Sequence, residues 1–316
     1  MGRHQGDRGH IRRHGRVVNK VKLSVITDGL CPDLAQALSV AAKAGLQAVE
    51  LQHIGGKQIH ALSPAEVQDA RRHLANFGLP VACVTGHTFH NCAIDDLIQD
   101  PAKLSAELDK LKACLEFAAA CDCPTVRVMN FRKEMFLFGG GGAEAWNVNT
   151  ALWDQLLEMI QAASALAGPT TLVLETGLNS AISSATLGRR LIDALDADNI
   201  AILWDPANCL FYSERPAPEG LDSLDARHIG HVHIKDMRLD IAGARIQHCE
   251  IGHGDMAPYL APLAQGLRAK GYEGYVSLES VYRPDGGSFA DGFHASLDTF
   301  RRHFGSAQSA ASAAPI

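Results

Sequence analysis

The chain has 316 residues, of which 47% are hydrophobic, 20% charged and 6% aromatic, with a formal charge of -6. These proportions exclude collagen-like, mucin-like and wholly disordered chains; the length suits two ordinary domains or one α/β barrel of about 250 residues. No apolar run approaches the roughly 20 residues of a membrane helix, and no hydrophobic signal-peptide core is present, so the expected location is the cytoplasm.

Charge is concentrated at the start. Residues 1–22 hold seven Lys/Arg against one acid, Asp7, for a local charge of +6. The stretch 1–20 has too little apolar content to bury a core and is expected to be a disordered basic tail. Contact with nucleic acid or an acidic surface is the weaker reading of that tail. The body, 21–305, is expected to be one catalytic barrel, and the Ser/Ala-rich segment 306–316 a second disordered tail. The acidic body argues against nucleic-acid binding.

Between the tails, a short β-branched apolar run followed by a longer segment of helical spacing recurs eight times. The strand-like runs are 23–27, 48–52, 81–85, 125–129, 171–175, 201–205, 231–235 and 275–279. Near-continuous apolar runs bounded by turns describe parallel strands buried on both faces. Helical spacing covers 33–45, where it stops at Gly45, and 63–78, which opens with Ser63-Pro-Ala-Glu66, an N-cap, first-turn proline and capping-box glutamate. It recurs over 102–121, 151–166, 185–195, 256–270 and 291–304, with 221–227 as a short sixth member. Eight alternations point to an α/β fold of one class, a single (β/α)8 TIM barrel. An open doubly wound sheet would want a glycine-rich dinucleotide loop after the first strand, and Thr27-Asp-Gly-Leu-Cys-Pro32 is not one. The glycine run 139–142 lacks the Lys-Ser/Thr of a phosphate cradle and reads as part of a lid, 130–146, with Arg132, Lys133 and Glu134. The eight cysteines are scattered through apolar runs, as reduced buried thiols are.

In a barrel, chemistry gathers at the C-terminal ends of the strands. Here strand five ends in Glu175, strand six in Asp205 and strand eight in Glu279, while strand seven carries His231 and His233. Isolated buried carboxylates are costly unless neutralised, so three of them converging with an imidazole suit a divalent cation. His231 and His233, two apart on one strand, share a face. Lys235 continues that parity, as a contact to a substrate oxygen or as an ion-paired lysine. Asp236 is expected to cap a turn, and Arg127, inside strand four, to form an internal ion pair with a carboxylate such as Glu50. His53 and His87, just past strands two and three, stand where substrate hydroxyls would lie, or else bond to their own loops.

The series Leu-Val-Leu-Glu175, Trp-Asp205-Pro-Ala-Asn208, Gly-His-Val-His233-Ile-Lys-Asp and Ser-Leu-Glu279 resembles the xylose-isomerase-like TIM-barrel superfamily of sugar (phosphate) isomerases and epimerases. Gly252-His-Gly-Asp255 resembles its Gly-x-Gly-Asp loop, and the resemblance spans about residues 22–304. It implies that Glu175, Asp205, His233 and Glu279 bind one divalent metal ion (Mn2+, Mg2+ or Co2+) and that Glu175 and Glu279 exchange the substrate proton through a metal-stabilised enediolate. It also implies substrate contacts at the matching positions, altered here by Asn208 and His253, which stand where relatives carry His and Glu. His231 is a further substrate contact or an interior histidine.

The expected activity is a metal-dependent isomerase or epimerase of a small sugar or sugar-derived keto acid. The alternative is a lyase on the same scaffold: an inosose-type dehydratase, a keto-acid decarboxylase or a 3-keto-glycoside-cleaving enzyme. An apurinic endonuclease, which needs a larger histidine set such as His53, His87, His233 and His248, is the least favoured reading. The expected partner is a small carbohydrate, with no nucleic acid and no membrane, and a homo-oligomer is left open.

Overall fold

A computed structural model describes residues 21–134, 136, 138, 151–195 and 197–305. Both expected tails and the glycine run 139–142 lie outside the described residues. The eight expected strands are present as β1 (Lys22–Val25), β2 (Val49–Leu51), β3 (Val81–Val84), β4 (Thr125–Val128), β5 (Thr171–Glu175), β6 (Ile200–Trp204), β7 (Ile229–Ile234) and β8 (Tyr275–Leu278). They form one sheet in which β2 to β8 pair in chain order and β8 pairs with β1, every pair parallel. The remaining seam, between β1 and β2, is closed by a parallel bridge from Ile26 to Glu50 and by the Thr27 hydroxyl donating to the Glu50 carbonyl at 3.2 Å.

The outer ring consists of α1 (Leu34–Lys43), α2 (Pro64–Phe77), α3 (Pro101–Ala120), α4 (Leu152–Ala167), α5 (Ala185–Ala194), the short α6 (Pro206–Leu210), α7 (Leu260–Ala269) and α8 (Phe289–Phe304). Helix α2 begins with the expected Ser63–Glu66 capping box and ends at Gly78, whose φ of 63° is left-handed. Two helices differ from their sequence patterns. Pro258 and Pro262 lack N–H groups, so the turn Ala257–Tyr259 is 3-10 and α7 starts at Leu260 rather than 256. Segment 221–227 is α-helical only over Leu221–Ser223, because Leu224 turns extended to bury its side chain fully, and it resumes as a 3-10 turn at Ala226–His228. Two antiparallel hairpins went unforeseen: His53–Ile54 with Lys57–Gln58, and Asp236–Asp240 with Arg245–Cys249. A short helix, Ile94–Gln99, also precedes α3.

Strand parity sorts the core. Val49, Leu51, Val126, Val128, Leu172, Leu174, Ile200, Ile202, Trp204, Val232, Ile234, Val276 and Leu278 all join the large apolar cluster shared with the helices. The opposite parity brings Ser24, Glu50, Thr85, Arg127, Glu175, Asp205, His231, His233 and Ser277 together inside the barrel, all buried. Such burial is tolerable only when each polar group finds a partner. Among the described residues, no helix is long and apolar enough to cross a membrane.

Candidate metal centre

The four residues at the ends of β5 to β8 meet at the barrel mouth. One ligand atom each from Glu175, Asp205, His233 and Glu279 can be chosen so that all lie within 4.8 Å of one another. Their positions follow from local structure. Asp205 is the N-cap of α6, its Oδ1 accepting from the backbone N–H of Ala207 and Asn208 at 3.1 and 3.3 Å. The Asn208 side-chain amide donates to Asp205 Oδ2 at 2.8 Å and to the Thr176 carbonyl at 3.0 Å. Asn208 therefore braces Asp205, with its own Oδ1 buried and unpartnered. The Asn130 side-chain amide donates to the Glu175 carbonyl at 2.7 Å, and Glu175 Oε2 accepts from Arg127 Nη1 at 2.8 Å.

Arg127 forms the expected internal ion pair, with a different carboxylate from the one offered as the example. Arg127 pairs with Glu175, not Glu50, because adjacent β4 and β5 place the two side chains at neighbouring interior positions. It also reaches the Gly86 carbonyl at 3.1 Å and His87 Nε2 at 3.4 Å. Lys235 Nζ lies 2.7 Å from Asp205 Oδ2 and 2.9 Å from Glu279 Oε2, inside the cluster. Three carboxylates thus face two fixed cations, which leaves one negative charge uncompensated among these groups. His233 Nδ1 lies 3.7 Å from Glu175 Oε1 and 3.6 Å from Glu279 Oε2, buried and without a hydrogen-bond partner. An unpartnered imidazole nitrogen facing carboxylate oxygens is an N/O donor set with room for a cation, and the residues fit a divalent metal ion.

The electrostatics agree with a site short of positive charge. Burial pushes the Glu175 carboxyl up, but Arg127 and His233 outweigh it and hold the group below its usual range. Glu279 is likewise lowered, by Lys235 and His233 against burial. Asp205 goes the other way: burial, joined by Glu279 and Glu175, outweighs Lys235 and pushes it up to about 7. For His233, burial works to lower the pKa, yet Glu50 and the facing glutamates raise it well above the imidazole range.

The expected substrate contacts divide. His53 and His87 stand at the rim with their ring centres 5.4 Å apart. His53 Nδ1 meets Asp28 Oδ2 at 3.1 Å, and His87 is lowered to about 3 by burial, Arg127 and the neighbouring histidines. His231 lies below the cluster, fully buried, bonded to Glu50 at 2.9 Å and to the Ser277 hydroxyl at 2.9 Å. His253 is turned outward, 59% exposed, with Glu250 as its neighbour at 3.6 Å.

Sequence reasoning missed one group, Asp28, and read too little into two others, His248 and Asp236. Asp28 carries no motif. His248, on the hairpin after β7, has its Nδ1 buried without a partner; burial, then the charge of Lys235, lowers its pKa. Asp236 does more than cap a turn. Its two oxygens accept the N–H groups of Met237, Gly252, Gly254 and Met256 at 2.8 to 3.0 Å, which folds the Gly252-His-Gly-Asp255 loop onto the barrel. Gly252 has a φ of 93°, and a Cβ on Gly254 would sit 2.3 Å from Asp236 Oδ1, so both positions require glycine. The acid two residues past His-x-His-x-Lys, paired with a later Gly-x-Gly, was the available signal.

The family described as xylose isomerase-like TIM barrel matches residues 38–303. No curated protein matches the chain at a significant level. Among solved structures, the chain is similar to 3-keto-D-glucoside 4-epimerase, YcjR, from E. coli, at 19% identity and a TM-score of 0.67, covering 89% of this chain and 99% of that one. It is similar to an IOLI protein with a bound zinc atom, at 15% identity and a TM-score of 0.70, covering 90% and 99%. Endonuclease IV from Thermus thermophilus is similar at 19% identity and a TM-score of 0.60, covering 89% and 98%. At such identities the likeness speaks for the fold alone.

Proposed function

The chain belongs to the xylose isomerase-like TIM barrel family, and from that premise we propose that it is a divalent-metal-dependent isomerase or epimerase of a small sugar or sugar-derived keto acid. The observation that carries this reading is the unpartnered Nδ1 of His233, buried between Glu175 and Glu279 with Asp205 in reach. A Mn2+, Mg2+ or Co2+ ion held by those four residues would supply a Lewis acid for a substrate carbonyl oxygen and the hydroxyl beside it.

The protein's own groups supply the proton chemistry. Arg127 and Lys235 keep Glu175 and Glu279 ionised, so each can accept a proton from the carbon beside the carbonyl. One glutamate removes it; the other returns a proton to the opposite face, giving an epimer, or to the neighbouring carbon, giving the aldose–ketose isomer. Glu279, whose side chain is 18% exposed, is the more open to the mouth, and Glu175 the deeper at 7%. His53 and His87 line the rim where hydroxyl groups would lie, and Lys235 stands ready for a substrate oxygen.

Arg127 favours one ion over several. Its guanidinium lies between Glu175 and His87, so a second cation beside Glu175 would meet a fixed positive charge. That counts against a multi-zinc endonuclease. The test is a panel of keto-sugars and inososes incubated with the Mn2+-loaded protein in deuterated water. An isomerase or epimerase gives products of unchanged formula carrying solvent deuterium; loss of water, carbon dioxide or an aglycone would replace this reading with the lyase.

A further inference from the structure

One layer below the mouth, three hydrogen-bond donors converge on a single carboxylate. Glu50, on β2, is fully buried. Its Oε1 accepts from the Thr85 hydroxyl and from His233 Nε2, the latter at 2.9 Å. Its Oε2 accepts from His231 Nε2 at 2.9 Å and faces His233 Nε2 at 3.1 Å. The His231 nitrogen also lies 2.9 Å from the Ser277 hydroxyl, which in turn donates to Ser24. These partners come from β1, β7, β8 and the end of β3, so Glu50 on β2 is fixed from several sides of the barrel.

The chemistry of this arrangement is directional. An ionised carboxylate can only accept, so the nitrogen of His233 that faces it carries the proton. In the neutral ring that a metal ion would bind, the other nitrogen, Nδ1, presents the lone pair, and it faces the oxygens of Glu175 and Glu279. We propose that Glu50 is a positioning residue for the cluster above it: by capturing Nε2 of His233 it sets the ring's rotation and tautomer, and aims Nδ1 at the cation position. Such partners raise a ligand's basicity and fix its orientation, and their loss costs about 10–100-fold in metal affinity. Thr85 and His231 hold the carboxylate so that it cannot swing away from His233. This inference rests on the metal reading above and adds a residue to it.

Zn2+ serves as the probe, with affinity measured by competition against a chromophoric chelator, and Cd2+ for magnetic resonance. Glu50→Gln keeps the shape but offers one acceptor oxygen, so an imidazole N–H is left facing an NH2 group. Zn2+ affinity is expected to fall about 10–100-fold, with the melting temperature near that of the wild type. A folded Glu50→Gln protein that binds Zn2+ within threefold of the wild type overturns the proposal. A second measurement needs no variant. In wild-type protein labelled with 15N-histidine and loaded with 113Cd, the coupling is expected at Nδ1 of His233, with the proton on Nε2; coupling at Nε2 overturns the assignment. A wild-type chain that takes up neither Zn2+ nor Cd2+ removes the metal reading itself, a failure distinct from these two.

Discussion

At the barrel mouth three carboxylates meet His233; one layer down a single carboxylate, Glu50, meets His231 and His233. Both groups have ligand atoms within 4.8 Å of one another, and by residue type either could hold an ion. They differ in how their polar atoms are occupied. Around Glu50 both carboxylate oxygens accept hydrogen bonds and no side chain is exposed, and the layer's one acid faces two imidazoles, with His231 Nδ1 buried and unpartnered. Around the mouth Asp205 and Glu279 share Lys235, Glu175 has Arg127, and His233 Nδ1 has no partner. The difference teaches that composition alone does not make a metal site. A carboxylate whose oxygens imidazole and hydroxyl donors already occupy is held in place; three carboxylates against two fixed cations have work left for a further cation.

The comparison breaks first at the two glutamates. Glu175→Gln and Glu279→Gln keep the shape and one coordinating oxygen but lose the base, so kcat should fall about 10²–10⁴-fold with the fold retained. Steady-state rates with the metal-loaded variants decide this. Near-wild-type turnover by both would move the proton chemistry elsewhere.

Lys235 tests the charge balance next. It is buried and bridges two carboxylates. Lys235→Met leaves them uncompensated, and removing one partner of such a pair costs about 3–5 kcal/mol in the metal-free protein. Added Mn2+ should restore much of that, because the ion would take over the neutralising role. Urea unfolding with and without Mn2+ measures both; equal destabilisation in the two conditions would contradict the mouth as a cation site.

A smaller effect is expected from pH. Asp205 is pushed up to about 7, so below that pH it holds a proton that an incoming ion must displace. Affinity for Mn2+ should therefore rise as pH increases through about 7, by up to about tenfold per unit for each proton released. Calorimetric titrations at pH 6, 7 and 8 would show it, and a flat profile would count against Asp205 as a ligand. Smallest of all, His253→Ala should leave kcat/KM within about twofold, since its ring is turned outward, 59% exposed, beside Glu250.

The barrel was legible because eight short β-branched runs alternate with helical spacing, and every one of those runs became a strand. The mouth was legible because four chemical groups end four successive strands. What stayed hidden depends on distances across the barrel. Glu50 and His233 are 183 positions apart, and nothing in Val49-Glu50-Leu51 says which of several inward residues it will reach. Arg127 was legible as ion-paired inside the barrel but not its partner, for the same reason: parity puts Glu50 and Glu175 both inside, and only the strand order puts Arg127 beside Glu175. His253 looked like a site residue from its loop motif, whereas Asp236 binds that loop through backbone N–H groups and leaves the side chain outside.

The central claim is that an ion belongs at the mouth, among its three carboxylates, and not at the Glu50 layer beneath it. Crystals grown with Mn2+ and measured at its absorption edge test this most directly. The account predicts one anomalous peak per chain, bounded by Glu175, Asp205, Glu279 and Nδ1 of His233. A peak between Glu50, His231 and Nε2 of His233, or no peak in a protein soaked to saturation, would contradict it.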